Sequence, residues 1–290
     1  MGRSILVALI VSLFGVSSSE LLSSKAFPAR GFAKILSTEE AQEKLNRYRS
    51  LVAAESNASV YHQAYSFRFR LRHMPRRGEE TIRQGCLSGP FIGHGVSRLR
   101  LYAEGNATDQ FYLFRNGPVP QAWRVDKVGE TTMELTPKDW FVPLIEGMNQ
   151  TPFDLLMPFV FWKGKYEKSG KVAGRPAHVF HFPYPEWAKN INPKLSHIAM
   201  GIDDTYDAPL RVENYAAGYI PQSEYILQSF KKLQDRWIVK AIDFKDGKTR
   251  SNTRFEITEA AVDLDLDARL FSPSGLLRNL PVAGEMYQSL

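Results

Sequence analysis

The residues that could do chemistry in this chain are sparse, and their spacing does not match a common reaction. Cys86 is the only cysteine among 290 residues, and its surroundings, Gly85 to Gly89, lack a catalytic signature, so we interpret it as a small buried apolar residue. His178 and His181 are three positions apart in a predicted strand. They should therefore point to opposite faces and cannot hold one zinc ion together.

Other catalytic patterns are missing from the sequence. There is no G-x-S-x-G nucleophile elbow and no glycine-rich phosphate loop with its lysine. The acidic residues Asp203, Asp204 and Asp207 lack the glycine and distal glutamate of a calcium-binding loop and fall where a hairpin should turn, so they indicate a turn. We predict that the protein is not an enzyme and uses no cofactor and no metal.

Arginine alternates with apolar residues in two segments, residues 65–72 and 98–101. A period of two places every arginine of such a strand on one face of a sheet and every apolar residue on the other. The apolar side chains predicted to point into the concave core are Phe67, Phe69 and Leu71. Those predicted to point outward are Arg68, Arg70 and Arg72. The outer face is either a solvated surface or a contact surface for anionic lipid headgroups, a membrane partner or an acidic protein.

The overall charge excludes one class of partner. The chain has 37 lysines and arginines against 31 aspartates and glutamates, and its formal net charge is only +6. Because the chain also shows an export signal and no recognition motif, we predict that it does not bind nucleic acid.

The N-terminus has the pattern of a secretory signal. A short basic start precedes an apolar stretch over residues 4–16 and small residues up to position 19. We predict a signal peptide over residues 1–19, an irregular leader over residues 20–36 and a single domain over residues 37–290. No later apolar run is long enough to span a membrane, so we expect a periplasmic or secreted protein that is soluble after cleavage.

The domain should belong to the α+β class. Ser37 and Glu40 form a capping-box pattern that predicts a helix to about Ser56. Short apolar and β-branched runs over residues 60–127 predict strands. From Tyr166 to Thr258 the pattern predicts one uninterrupted antiparallel meander with two-residue turns.

The sheet pattern is interrupted between residues 136 and 162. Two segments, Thr136-Pro137-Lys138-Asp139 and Thr151-Pro152-Phe153-Asp154, place a capping threonine, a proline and an acid in the order of a helix start. Two short helices are predicted there. The first carries apolar residues between positions 140 and 148, and the second, over residues 152–162, is apolar nearly all round. They either plug an open sheet or form the lid of a cavity. The side chains that would line this lid or cavity are Trp140, Phe141, Phe153, Leu156, Phe159 and Phe161.

The second half of the sequence resembles a known family. The segments FDLLMPFVFW, GRPAHVF, SFKKLQDRWIVKAID and TRSNTRFEI, in this order, are similar to those of the outer-membrane lipoprotein-sorting protein family, whose members look like the LolA carrier. The resemblance covers about residues 38 to 272. It implies a curved antiparallel sheet, an incomplete barrel, closed by short helices over an apolar cavity that accommodates acyl chains. No motif matches the inner arginine of the LolA carrier, so no binding residue is carried over.

We therefore predict an exported protein with a long, curved antiparallel sheet, an N-terminal helix and short helices over the concave face. Its predicted function is non-catalytic binding of an acyl chain or a lipidated protein in the envelope, in a role such as lipoprotein sorting. The alternative is an envelope interaction module that binds a protein or a glycan through its arginine-rich or aromatic surface. An empty apolar volume under residues 140–162 would favour the carrier, and a packed interior would favour the module.

Overall fold

The structure, a computed structural model, describes most of the chain after the leader. The described ranges are 33–53, 58–91, 95–105, 108–126, 131–234 and 236–290. The predicted signal peptide, residues 1–19, and the predicted leader up to residue 32 lie outside the described residues.

Helix α1 (Thr38–Val52) begins where the capping-box pattern predicts. The Ser37 hydroxyl accepts a hydrogen bond from the backbone amide of Glu40 at 3.2 Å, and the Glu40 carboxylate accepts one from the amide of Ser37 at 2.7 Å. The predicted extension to about Ser56 is wrong, because Ala53 already has an extended conformation. The buried stripe of the helix ends at its last residue, and a helix this short is held by such contacts rather than by its own stability.

The strands form one 14-stranded antiparallel sheet. The first half contains β1 (Val60–Met74), β2 (Thr81–Gly89), β3 (Val96–Leu101), β4 (Gln110–Arg115), β5 (Gln121–Val125) and β6 (Met133–Glu134). The second half contains β7 (Lys165–Val172), β8 (Arg175–Pro183), β9 (Leu195–Asp203), β10 (Pro209–Ala216), β11 (Ile220–Leu233), β12 (Arg236–Asp246) and β13 (Asn252–Asp267), followed by β14 (Gln288–Ser289). The spatial order is β6-β5-β4-β3-β2-β1-β13-β12-β11-β10-β9-β8-β7, with β14 beside β13. The two meanders therefore join through β1 and β13, while β6 and β7 are the outer strands of a sheet that stays open.

The α+β class and the incomplete barrel are confirmed, but the second meander is not uninterrupted. Helix α3 (Glu186–Ile191) lies between β8 and β9, with Pro185 as its N-cap. Proline cannot donate to a strand ladder, and it suits the entry to a helix. Across the described ranges, no helix has both the length and the hydrophobicity that a membrane crossing requires.

Strand β1 shows how the sheet separates its two faces. The apolar side chains buried in the main hydrophobic core are Phe67, Phe69 and Leu71. On the opposite face, Arg68 pairs with Glu259 of β13 and Arg70 pairs with Glu256, each at 2.7 Å. The predicted orientation of the apolar and arginine sets is confirmed.

A second, smaller core lies on the outer face of the first meander. Strand β4 supplies both sides, since Leu113 belongs to the second core while its neighbours Tyr112 and Phe114 belong to the main core. The C-terminal segment covers this outer face through buried Phe271 and Leu276. Strands β3, β4 and β5 therefore carry buried apolar side chains on both faces.

Gly85 allows an aromatic ring to lie flat on the sheet. A Cβ atom at this position would lie 2.5 Å from Cζ of Phe69 and 2.4 Å from the backbone oxygen of Arg100. We expect Gly85→Ala to lower the free energy of unfolding by about 1–3 kcal/mol, because the core must shift to admit the methyl group. Urea denaturation measures this change. Gly170→Ala in β7 is the matched control, since nothing lies within 4 Å of its added Cβ, and equal effects of the two changes would contradict the packing.

Candidate functional site

Residues 136–162, which we call the lid, connect β6 to β7. These are the outer strands at opposite edges of the sheet, so the segment that joins them must cross one face. Most of its apolar side chains are buried in the main core. The lid therefore closes the inner side of the open sheet, where the sequence predicts either a plug or a cover.

The lid begins with a single turn instead of the first predicted helix. The amide and the hydroxyl of Thr136 donate to the Asp139 carboxylate at 2.8 and 2.6 Å, much as the sequence predicts for a helix start. The chain then makes only a 3₁₀ turn over Asp139–Phe141 and becomes extended at Val142. Pro143 follows, and a residue before proline avoids helical geometry, so the helix ends early.

The second predicted helix is split in two. Thr151 caps α2 (Pro152–Leu156) through a capping box with Asp154, as predicted. Met157 then adopts a left-handed conformation with φ 45° and ψ 50°, and Pro158 begins a 3₁₀ turn that ends at Phe161. A left-handed backbone is strained for a side chain as large as methionine. The lid thus contains a strained joint between its two short helices.

Aromatic rings of the lid and of the adjoining β8–α3 region form one group, which we call the aromatic cluster. Phe153 is central: its ring centroid lies 4.7 Å from that of Phe141 and 6.0 Å from those of Trp162 and Tyr184. Trp187 of α3 meets Trp162 edge-on at 6.0 Å. Each such pair contributes about 0.5–1.5 kcal/mol beyond the area it buries, so the cluster stabilises the closed lid.

The structure brings the predicted lid and cavity residues together. Those buried in the main core are Phe67, Phe69, Leu71, Trp140, Phe153, Leu156 and Phe159. Phe141 and Phe161 are partly buried and pack against that core. Their role in ligand binding remains a prediction.

Arg49 of α1 holds the end of the lid. Its Nε donates to the backbone oxygen of Val160 at 2.7 Å, and its Nη2 donates to that of Trp162 at 2.5 Å. Burial lowers the pKa of this guanidinium, so its charge is partly desolvated. Hydrogen bonds to charged groups contribute about 1.5–3 kcal/mol. Arg49 therefore joins the lid to the N-terminal helix.

Asn149 joins the middle of the lid to the sheet. Its Nδ2 donates to the backbone oxygen of Phe244 at 3.0 Å, and Ser251 Oγ donates to its Oδ1 at 3.0 Å. The Tyr225 hydroxyl donates weakly to Sδ of Met157 at 3.8 Å. The lid is thus attached to β11, to β12 and to the turn before β13, as well as to α1.

Two polar atoms of the closed lid are buried without a hydrogen-bond partner in the described structure. These are Nε1 of Trp140 and Oε1 of Gln150. Leaving a buried polar group unpaired costs about 1–3 kcal/mol. Together with the strain at Met157, these atoms offset part of the stabilisation that the aromatic cluster provides. The lid therefore combines strong contacts with local costs.

A pocket lies under α2, between the lid and strands β9 to β12. Its volume is about 40 Å³, whereas pockets for small ligands hold roughly 300–1,000 Å³. Its walls combine the rings of Phe153 and Phe159 with the charged side chains of Asp154, Glu224 and Lys245. This pocket is therefore too small for such a ligand, and a larger ligand at this position would require the lid to move.

Asp154 is the titratable lid residue in the pocket wall. Its Oδ2 accepts hydrogen bonds from the Thr151 amide at 2.9 Å and from the Thr151 hydroxyl at 2.8 Å. Burial raises the pKa of Asp154 to about 6, although the hydrogen bonds from Thr151 act in the opposite direction. The charge of the pocket wall therefore changes at mildly acidic pH.

Sequence reasoning missed Arg49 and Asn149, and it explained Asp154 only as a helix-start acid. Arg49 follows the buried Leu45 by four positions, so it lies beside the apolar stripe of α1, and this spacing is the one local signal. Asn149 carries no such signal, because its partners lie far away in the sequence, in β12 and in the turn that follows it.

A serine, a histidine and an aspartate form a hydrogen-bonded chain near the edge of the sheet. Ser169 Oγ lies 2.7 Å from Nδ1 of His178, whose Nε2 lies 2.6 Å from Oδ1 of Asp204. The serine oxygen also contacts the Tyr166 hydroxyl at 2.6 Å and the Lys34 backbone oxygen at 2.7 Å. These three contacts hold the serine hydroxyl in place. The chain ties the N-terminal segment to β7 and β8.

The predicted acidic turn lies between β9 and β10. Asp203 accepts hydrogen bonds from two backbone amides of the turn, and Asp204 belongs to the chain described above. Asp207 pairs with Lys44 and with Arg47 of α1, each at 2.6 Å. Within the part of the chain that the structure describes, no group of three metal-binding side chains occurs. The acids therefore shape the turn and hold α1.

Comparison with known proteins identifies the fold. The chain is similar to a DUF1329 family protein from Desulfovibrio piger, with a TM-score of 0.63, 13% identity and coverage of 82% of this chain and 98% of the other. It is also similar to a putative outer membrane lipoprotein-sorting protein domain from Vibrio parahaemolyticus, with a TM-score of 0.65, 12% identity and coverage of 81% and 97%. A LolA superfamily protein from Nitrosomonas europaea is similar as well, with a TM-score of 0.56, 10% identity and coverage of 80% of this chain and 97% of the other. No family model matches the sequence, and no curated protein matches it. The protein has a LolA-like fold, as the resemblance predicts.

Proposed function

We propose that the protein binds an acyl chain, free or attached to a lipidated protein, between the inner face of its sheet and a lid that moves. The observation that carries this proposal is the lid: an apolar cover crosses the open side of a LolA-like sheet and contains a strained joint at Met157. Binding is non-catalytic, and the protein acts in the envelope after export. A role in lipoprotein sorting is supported by the fold shared with a putative outer membrane lipoprotein-sorting protein domain.

The small empty volume under the lid favours the interaction module over a rigid carrier, so the carrier proposal requires a lid that moves. A volume of about 40 Å³ cannot hold an acyl chain, so the ligand must take the space that lid side chains fill in the closed form. Opening breaks the hydrogen bonds of Arg49 and separates Phe153 and Phe159 from the sheet. The acyl chain then contacts the inner wall, which includes Phe67 and Phe69.

The energies of binding and opening are compatible. Burying a methylene group contributes about 0.8 kcal/mol, so about fifteen methylenes contribute roughly 12 kcal/mol. If opening and ordering together cost about 4 kcal/mol, roughly 8 kcal/mol remains, which corresponds to micromolar affinity. A long acyl chain can therefore open the lid, whereas a short one cannot.

A dansyl-labelled fatty acid tests the proposal. Trp140, Trp162 and Trp187 lie in or beside the aromatic cluster, so a probe under the lid will change tryptophan emission. We expect saturable uptake of about one probe per chain with micromolar affinity, and displacement by an unlabelled long-chain fatty acid. If a protein that unfolds cooperatively takes up no probe at these concentrations, the carrier proposal fails and the interaction module becomes the better hypothesis.

The arginine surface supports the alternative function less well. Arg68 and Arg70 pair with glutamates of β13, and Arg72 lies 3.4 Å from Glu80. Such pairs leave little net positive charge to attract an anionic partner. Contact of Arg68, Arg70 and Arg72 with a membrane or a partner protein stays a prediction.

A further inference from the structure

The sheet is split along part of the boundary between β12 and β13. These strands pair where residues 241–245 of β12 face residues 252–256 of β13. Strand β13 continues beside β1 as far as Asp267, while the first part of β12 pairs with β11. A gap, which we call the seam, therefore separates residues 236–240 from residues 257–267.

The last strand fills part of the seam. Strand β14 pairs antiparallel with residues 259–260 of β13, and the Leu290 amide donates to the backbone oxygen of Thr258 at 3.0 Å. From the other side, Nζ of Lys240 donates to the backbone oxygens of Ile257 at 2.6 Å and of Leu290 at 3.0 Å. The seam thus binds the backbone of an extended segment from both sides.

Tyr287, which precedes β14, occupies a defined position on the outer face. Its hydroxyl lies 2.8 Å from Oγ of Ser66, and the guanidinium of Arg68 lies 4.0 Å from its ring centroid. A cation over an aromatic face contributes about 0.5–1 kcal/mol at exposed sites. The tyrosine therefore sets the register of the segment that follows it.

The terminal strand is held loosely compared with the segment before it. Residues 283–286 and both residues of β14 are exposed. By contrast, Phe271 and Leu276 are buried, and buried Arg98 donates to the backbone oxygens of Leu276, at 2.8 Å, and Arg278. Tyr287 and Leu290 are partly buried against the second core and the main core, so detachment of the tail breaks these contacts but leaves Phe271 and Leu276 in place.

We propose that the seam is a docking site for an extended peptide of a partner protein, which adds to β13 as a strand after displacing β14. An exposed strand edge with free backbone groups is a template for such addition. The bound tail indicates the required pattern: an aromatic residue at the position of Tyr287, small polar residues at the next two positions and an apolar residue at the position of Leu290. This site lies outside the lid and does not depend on acyl binding.

Competition by the protein's own tail determines how tightly a partner peptide must bind to occupy the seam. A tethered segment acts at an effective concentration in the millimolar range, so a free peptide of the same sequence must compete with it. A partner peptide with a larger aromatic side chain gains contacts around Ser66 and Arg68, whereas a longer strand must also displace the ion pair of Arg236 with Asp263, which crosses the rest of the seam. The tail therefore excludes weak peptides and yields to strong ones.

The test uses the full chain and a fluorescent peptide with the sequence of residues 281–290. Tyr287→Ala in the protein weakens the hold of its own tail, so this variant should bind the added peptide at least about tenfold more tightly than the wild type does. A peptide in which tyrosine is replaced by alanine should not bind. Fluorescence anisotropy measures the binding of each peptide to each protein. A further change, Ser66→Ala in the Tyr287→Ala protein, should weaken binding of the peptide that contains tyrosine.

Amide hydrogen exchange on the unmodified chain provides an independent measurement. The Leu290 amide should exchange much faster than amides in the β1–β13 ladder, because detachment of the tail is local. Absence of saturable peptide binding to the Tyr287→Ala protein, or equal binding of the alanine peptide, would overturn the proposal. A concentration-dependent dimer that the added peptide dissociates would assign the seam to the tail of a second copy and would also overturn it.

Discussion

Arg49→Met is expected to tighten binding of the dansyl fatty acid by about tenfold or more. Arg49 donates two hydrogen bonds to the closed lid, to Val160 and Trp162, and the proposed opening breaks both. Removing them lowers the free energy of opening by at least about 1.4 kcal/mol, and when the open form is a minor state its population then rises about tenfold. Methionine keeps an unbranched apolar stem against the helix. Titration of tryptophan emission with the probe measures the change.

Arg47→Met is the matched control. Arg47 lies on the same helix and also loses a charge, but its partner is Asp207 in the β9–β10 turn, at 2.6 Å. Asp207 retains Lys44 as a second partner. Probe affinity should therefore stay within about twofold of the wild type. If both variants behave alike, or if Arg49→Met weakens binding in a protein of unchanged fold, the lid is not the gate.

The starts of the helices were predictable because a helix cap is formed by residues only three positions apart. Ser37 with Glu40 and Thr151 with Asp154 form the hydrogen bonds that their spacing predicts. The alternation around Phe69 was equally local, since neighbouring side chains of a strand point to opposite faces. These predictions needed no knowledge of what the elements pack against.

The lengths of the lid helices were wrong although their cause is visible in the sequence. Pro143 and Pro158 stop helical geometry one residue earlier, at Val142 and Met157. The apolar composition of the segment suggested longer helices, because burial and helix formation give the same signal over short stretches. In this segment the two prolines end the helices even though the apolar sequence favours longer ones.

The attachments of the lid could not be predicted from local rules. Arg49 and Val160 are 111 positions apart, and Asn149 and Ser251 are 102 positions apart. Such contacts follow from the order of strands, which places the lid connection across the sheet. The seam beside β13 also depends on strand order, since its edge is free only where β12 turns away.

Asp154→Asn is expected to remove a pH-dependent cost from the closed lid. The pKa of the folded state is about 6, and that of an unfolded chain is about 3.9. Between these values the folded protein binds more protons than the unfolded one, so the free energy of unfolding falls as pH rises from about 4 to about 6. A shift of about two units corresponds to at most about 3 kcal/mol. Asparagine keeps an oxygen that can accept from Thr151 and has no charge to bury.

Histidines also make the free energy of unfolding depend on pH, so the effect of Asp154 must be measured as the difference between the variant and the wild type. Burial lowers the pKa values of His73, His181 and His197. Such groups bind fewer protons in the folded state, so they make the free energy of unfolding rise with pH below about 6.5, opposite to Asp154. Urea denaturation of wild type and Asp154→Asn from pH about 4 to about 7 cancels this shared contribution. The stability of the variant relative to the wild type should increase up to pH about 6 and then level off.

Asp139 is the matched control for Asp154, because it accepts the same pair of hydrogen bonds, here from the amide and hydroxyl of Thr136. At this more open position those hydrogen bonds outweigh burial and lower the pKa of Asp139. Its ionised form therefore stabilises the fold, and this stabilisation is lost as pH falls through the lowered pKa. Asp139→Asn should accordingly destabilise the protein at neutral pH, whereas Asp154→Asn should not. Equal signs for the two variants would mean that the wall under α2 is as hydrated as the first turn of the lid, and the closed lid would then not exclude water.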